Sequence, residues 1–256
     1  SRYSTLAAAK FAYSNITSQI TSLDQSLFWA GLQSAIVSLG ANGGGEIVIT
    51  SGNWLLSDTV VGRSNVTVSG RGDSSLIDIE LNSRWAGRYI FDGRGHSHFV
   101  IKNFKIDQKG RKRTAAQATG SALVINKSEF SGAENVTFYD ASDSTSQAGT
   151  PHILIIAKDV EDDVPDFDAL IGSVDSGFVR KCRFIMPDEN TRCGFAIRIV
   201  TDFVKQRSRD SFIHTIQNCD ISGNSFNGDY FWNMIELAGG GTRLNTINYN
   251  SAKGKT

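Results

Sequence analysis

Cysteine, proline and long apolar runs are all scarce in this sequence, and each scarcity excludes something. The 256 residues include three cysteines, Cys182, Cys193 and Cys219. None has a C-x-x-C neighbour, so neither a disulfide framework nor a zinc site is indicated, and buried reduced thiols are expected. The longest apolar runs, such as HILIIA at 152–157, are far too short to cross a bilayer. No basic region followed by an apolar stretch opens the chain, so membrane insertion is not expected. Neither sign of charge dominates: 26 Lys and Arg balance 26 Asp and Glu. That leaves no single-sign field to draw the chain to nucleic acid, and a neutral partner, or one held by local patches, is expected.

Proline is rarer still against glycine, 3 against 25. Short β-branched and aromatic runs alternate with clusters of Ser, Asn, Asp and Gly, the pattern of many strands joined by turns. Helical spacing is nearly absent. The exception is SLDQSLFWAGLQSAIVSLG, where Phe28, Leu32, Ala35 and Leu39 recur with the helical period. Ser22 with Gln25 fits a capping box and Gly40 a stop, which predicts a helix over 22–39. Residues 1–21 show no clear period and read as a linker or an arm from an upstream region. The start at Ser1 and the stop at NSAKGKT in mid-pattern lead us to expect a fragment, with the 22–256 domain truncated at its C-terminal side.

After the helix, one motif returns: apolar, polar, Asn-like, apolar, polar, apolar. It reads VSGRGD (68–73), IKNFKI (101–106), AENVTF (133–138), VRKCRF (179–184), IQNCDI (216–221) and LNTINY (244–249). A second strand follows each copy: LIDIE (76–80) or YIFDG (89–93), then ALVIN (122–126), HILIIA (152–157), FAIRIV (195–200) and MIELAG (234–239). Units that cannot bury themselves alone must stack, which makes a solenoid. With strands and no intervening helices, the expected fold is all-β, a right-handed parallel β-helix with an N-terminal capping α-helix over its open edge. Asn103 and Asn135 fit a ladder of side-chain amides at one bend, with Asn218 separate; ordinary turn asparagines are the alternative.

The stretch from Leu32 to Ile77 resembles the opening of the pectate-lyase-like superfamily. It has the helix, a Gly-rich turn, the G-x-h-x-h-x-x-G-x-W-x-h pattern from Gly45, and N-V-T-V-x-G-x-G from Asn65 to Gly72. This opening marks the fold far better than the reaction. It is shared by viral tailspike depolymerases, polysaccharide lyases, glycosidases and epimerases. The resemblance implies a protein of the virion tail or extracellular space that hydrolyses a bacterial surface polysaccharide, and tailspikes imply a homotrimer. A lyase or epimerase of the same fold, or a non-catalytic glycan-binding spike module, stays open. No contiguous lyase motif appears, so no lyase residue is carried over.

Candidate chemistry then comes from strand alternation. Laying 153–160 over 196–203 stacks Ile156 on Ile199, sets Ile155 beside Arg198 facing outward, and puts Asp159 on Asp202. Coils about 4.8 Å apart would bring those carboxylates near the 5–5.5 Å separation of retaining glycosidases, with one pKa pushed up by the other. A Ca2+ site or two solvated acids are the alternatives, and otherwise no cofactor is indicated. One coil further on, Glu236 stacks on Arg198, as an ion pair or as part of a sugar groove, and Glu236 joins Asp159 and Asp202 as a catalytic candidate. Tyr230 and Trp232, with Phe231, Trp85 and Tyr89, could offer rings to sugar C–H faces or pack in the core. Gly239–Gly241 would leave an open floor beside them.

The acidic segment 158–177, the basic run KGRKRT (109–114) and the GRGDS bend (70–74) read as solvated loops. Four scattered histidines, His96, His98, His152 and His214, show no metal spacing.

Overall fold

A computed structural model describes residues 5–23, 25–81, 85, 88–112, 120–140, 151–157, 173–187, 193–201, 216–227, 231–238 and 242–253. Its strands form four parallel sheets that follow one another around each coil of a β-helix. Sheet 1 stacks Gly45–Val48, Val66–Ser69, Val100–Lys102, Gly132–Glu134, Phe178–Arg180, Asp220–Ser222 and Thr246–Asn248. Sheet 2 stacks Gly52–Leu56, Ser75–Ile79, Lys105–Asp107, Thr137–Tyr139, Arg183–Ile185, Ser225–Asn227 and Ser251–Lys253. Sheet 3 runs through Val60–Val61, Phe91–Asp92, Leu123–Ile125, Ile153–Ala157, Cys193–Thr201 and Phe231–Ala238. The short sheet 4 stacks Ser128–Glu129, Val174–Asp175, Ile216–Gln217 and Thr242–Arg243.

Alternation along each short strand sends one residue inward, and the inward residues form columns. Val68, Ile101, Ala133, Val179 and Ile221 make one such column, all fully buried. On sheet 2 the column becomes aromatic: Phe138 stacks on Phe184 at 5.1 Å and Phe184 on Phe226 at 5.2 Å, nearly face to face. His152 sits edge-on to Phe138 and Phe184. Its Nδ1 lies 2.6 Å from Gln108 Nε2, and full burial holds its pKa down at about 3, so the ring is neutral.

Each coil turns its corners through left-handed residues. The corner entering sheet 1 is made by Asn65, His98, Phe130, Ser176, Asn218 and Leu244, all at positive φ. The corner between sheets 1 and 2 uses Asn103, Asn135, Lys181, Gly223 and Tyr249. At the second corner Asn135 Nδ2 donates to Asn103 Oδ1 at 2.9 Å, the amide ladder expected from the motif.

The repeat itself needs a correction. IQNCDI and LNTINY lie at the first corner, and the true partners of VRKCRF are ISGNSF (221–226) and the segment 247–252. Both corners impose the same local demand, a left-handed residue followed by an inward one and then a strand, so local pattern alone does not tell them apart. The inward position holds Cys182, Asn224 and Asn250 in successive coils. Asn224 Oδ1 accepts the Cys182 N–H at 2.9 Å, and Asn250 Oδ1 accepts the Asn224 N–H at 3.0 Å. Cys182 and Cys219 are buried free thiols. Burial pushes the first up to about 12 and the second to about 11, so both are chemically quiet. The Cys193 side chain lies outside the described set.

The cap forms, though it begins later than its pattern suggests. Helix α1 (Leu6–Ala12) and a 3-10 turn occupy part of the stretch that carried no clear period, and Ile16 and Ile20 are buried there. Helix α2 spans Leu27–Ala41 with Ser26 as its N-cap. Gln25 Oε1 instead accepts the Thr21 and Ser22 N–H groups, closing the turn before the helix. Trp29 Nε1 donates to Thr59 O at 2.7 Å. Gln33 donates to Val61 O at 3.0 Å and accepts the Val61 N–H at 2.8 Å. Its amide thus pairs the first strand of sheet 3 as another strand would, blunting an edge that could otherwise recruit a foreign chain.

Candidate functional site

One column of sheet 3 turns away from the core: Val61, Asp92, Val124, Leu154, Arg198 and Glu236, with Val124 fully buried. Its last two members meet as the sequence suggests. Arg198 Nε donates to Glu236 Oε2 at 2.5 Å, with the side chains 39% and 24% exposed. The bond is charge-assisted, and partial exposure keeps its net contribution to stability small. The Arg198 guanidinium also stands 5.0 Å from the Phe195 ring centroid. Lower in the same column Asp92 is gripped by both Nε and Nη2 of Arg94, at 2.9 and 2.7 Å, and Arg94 lies over Tyr89.

The register between the two preceding strands differs by one residue from the sequence reading. Ile155 pairs with Ile199 and both are buried, while Arg198 pairs with Leu154. The isoleucine run of 153–156 has apolar residues at every position, so alternation gave no phase. The superposition that stacked Asp159 on Asp202 is therefore one residue out of step within the described strands. Asp159, Asp202 and Tyr230 themselves lie outside the described residues, as do Gly239–Gly241. Trp232 falls within Phe231–Ala238, but its side chain is outside the described set. Trp85 is fully buried and belongs to the core, not to an exposed row of rings.

Other motifs are spent on structure. Asp73 of GRGDS accepts from Thr137 Oγ1 at 2.8 Å and from Arg183 Nη2, strapping its loop across sheet 2. Lys109 pairs with Asp78 at 2.9 Å. Asp159 to Asp168 of the acidic segment lie outside the described residues. Among the described residues, no group of three or more His, Cys, Asp or Glu converges as a metal site.

A second polar concavity went unrecognised. Sheet 4 turns Glu129, Asp175 and Gln217 outward on three successive coils. With Ser97, Lys127, Ser128, Ser173 and Val174 they line an open groove of about 390 Å³. The Asp175 carboxylate accepts from Gln217 Nε2, Asn218 Nδ2 and Ser176 Oγ, each at 2.9 Å. These donors, Gln217 first and Asn218 next, hold its pKa below the usual aspartate range. The pair was legible: the offset that aligns Asn135 with Lys181 also lays Glu129 on Asp175.

Neither a protein-family model nor a curated protein matches the chain. Solved structures do. A tailspike protein of E. coli bacteriophage HK620, in complex with a pentasaccharide, superposes with a TM-score of 0.55 at 16% identity, covering 86% of this chain and 41% of that one. A glycosyl hydrolase candidate from Parabacteroides merdae gives 0.48 at 14% identity, covering 86% of each chain. A mannuronan C-5 epimerase A-module from Azotobacter vinelandii gives 0.37 at 12% identity, covering 88% of this chain and 91% of that one. At 16% identity the likeness to the tailspike establishes the fold alone, a parallel β-helix. The chain spans less than half of the tailspike.

Proposed function

We propose that this β-helix hydrolyses a bacterial surface polysaccharide on the outer face of sheet 3, as part of a virion tail or another extracellular depolymerase. The observation that carries the reading is the Arg198–Glu236 pair, two complementary charges on adjoining coils of a partly exposed column. A long glycan laid along the axis would cross several coils, each offering an outward side chain about every 4.8 Å. That spacing suits a pair of carboxylates acting as acid and nucleophile or base. In this reading Asp159 and Asp202, which stand within two residues of the strand ends at Ala157 and Thr201, supply that pair, and Glu236 is a third carboxylate on the same face, about 13 Å back along the strand direction from Asp202 at roughly 3.3 Å per residue. Arg198 orients Glu236 and hydrogen-bonds sugar oxygens, and Tyr230 and Trp232 offer stacking faces. The pentasaccharide held by the HK620 tailspike supports the substrate class. Tailspike-like use would make the working unit a homotrimer, which sedimentation equilibrium would show.

The test is incubation with a panel of capsule and O-antigen polysaccharides, reading chain length and end groups by mass. Hydrolysis predicts shortened chains with new reducing ends. Losing a general acid or base removes roughly 10²–10⁴-fold in rate, so Asp159→Asn and Asp202→Asn should fall in that range. Unsaturated ends would replace hydrolysis by elimination, and intact glycan throughout would remove the enzymatic reading.

A further inference from the structure

We infer that the groove along sheet 4 is a separate saccharide-binding site, selective for neutral sugar units. Its lining offers hydroxyls and one carboxamide, from Ser97, Ser173 and Gln217, set among Lys127, Glu129 and Asp175. Polyhydroxylated ligands are matched by such mixed donors and acceptors.

The groups are not equally committed. Asp175 is locked by three side-chain donors that fix its orientation. The Glu129 carboxylate and the Lys127 ammonium are solvent-exposed and make no hydrogen bond or ion pair with any described residue. Charged groups left free at a concave surface, beside one that is pre-oriented, are placed for a ligand and contribute little to folding.

The rim adds what polar groups lack. Phe130 follows Glu129 directly and is 51% exposed, although it is a large apolar side chain. Its ring stacks on that of His98, 5.2 Å away, which follows the groove residue Ser97 on the adjoining coil. Both residues hold left-handed backbone at the corner that follows sheet 4, a conformation that costs a residue of this size free energy, and each is the next residue in the chain after a lining residue, Ser97 and Glu129. A flat ring pair bordering a hydroxyl-rich trough fits a sugar, whose C–H face packs on the ring while its hydroxyls reach the trough. With one cation against two carboxylates in the lining, a uronate or other acidic sugar is disfavoured and a neutral unit preferred.

The inference does not depend on cleavage at sheet 3. The experiment is calorimetric and saturation-transfer NMR titration of the intact protein with neutral hexasaccharides from dextran, mannan and galactan, and with hexagalacturonate as the acidic counterpart. At least one neutral ligand should bind, at least tenfold tighter than hexagalacturonate. Phe130→Ala and Glu129→Gln should each weaken that binding tenfold or more with unchanged circular dichroism and melting temperature. Both sites are exposed, so either variant can stand if the other folds poorly. Binding that both variants leave unchanged, preference for the uronate, or no binding by any neutral ligand overturns the site. Polysaccharide cleavage that continues under any of those results would leave the sheet 3 reading intact. Groove binding without cleavage by the wild type would sink that reading alone.

Discussion

The outer face of sheet 3 and the groove at sheet 4 are built from the same coils and spend their charges differently. On sheet 3, Arg198 and Glu236 satisfy each other across adjoining coils at 2.5 Å. In the groove, Asp175 is held by uncharged donors while Glu129 and Lys127 stay uncommitted. Ile155 and Ile199 are buried beneath sheet 3 and Val174 and Ile216 beneath sheet 4, so an apolar interior alone does not distinguish them. What a β-helix does is decided by its outward columns, where a substitution changes chemistry without touching the core.

That division can be broken from the inside first. Phe184 sits in the middle of the aromatic column, between Phe138 and Phe226. Phe184→Ala should cost about 3–5 kcal/mol, read by urea unfolding, and both outer sites should fail together. His152 sharpens the same point through pH. Its folded pKa of about 3 lies below the unfolded value of about 6.5, so the unfolded chain binds the proton first. Stability is therefore full above that unfolded value and falls as pH drops, by up to about 1.4 kcal/mol per pH unit. Denaturation midpoints between pH 7 and 5 should show this slope, and His152→Phe should flatten it.

Smaller effects separate corner from face. Asn135→Ala keeps a positive φ that alanine resists and removes the amide bond to Asn103. The expected loss is about 1–2 kcal/mol, and Asn135→Gly should lose less. Arg198→Ala should move stability by less than about 1 kcal/mol, because the pair is part-exposed, while weakening glycan cleavage. A stability loss of several kcal/mol there would show that the pair is structural.

Much of the fold could be read in the chain because its signals are local. The corner asparagines, the Gly-rich turn and the short strands each declare a backbone need, and Asn103 with Asn135 fell into place. Pairing is nonlocal, and there the reading slipped where the pattern had no phase. At Ile153–Ile156 every residue is apolar, and the register moved by one, whereas at Glu236 a lone charge among apolar neighbours fixed it correctly. Two corners with the same left-handed demand were confused at Asn218 and Leu244. The paired outward acids Glu129 and Asp175 were missed because they stand on two-residue strands, too short to show alternation.

The most direct trial is a time course of chain length for one susceptible polysaccharide under wild type, Asp202→Asn and Glu129→Gln. The account predicts rapid shortening by wild type, shortening near that rate by Glu129→Gln, and loss of about 100-fold or more in Asp202→Asn with its retention of the intact chain preserved. Shortening by Asp202→Asn at the wild-type rate would contradict it.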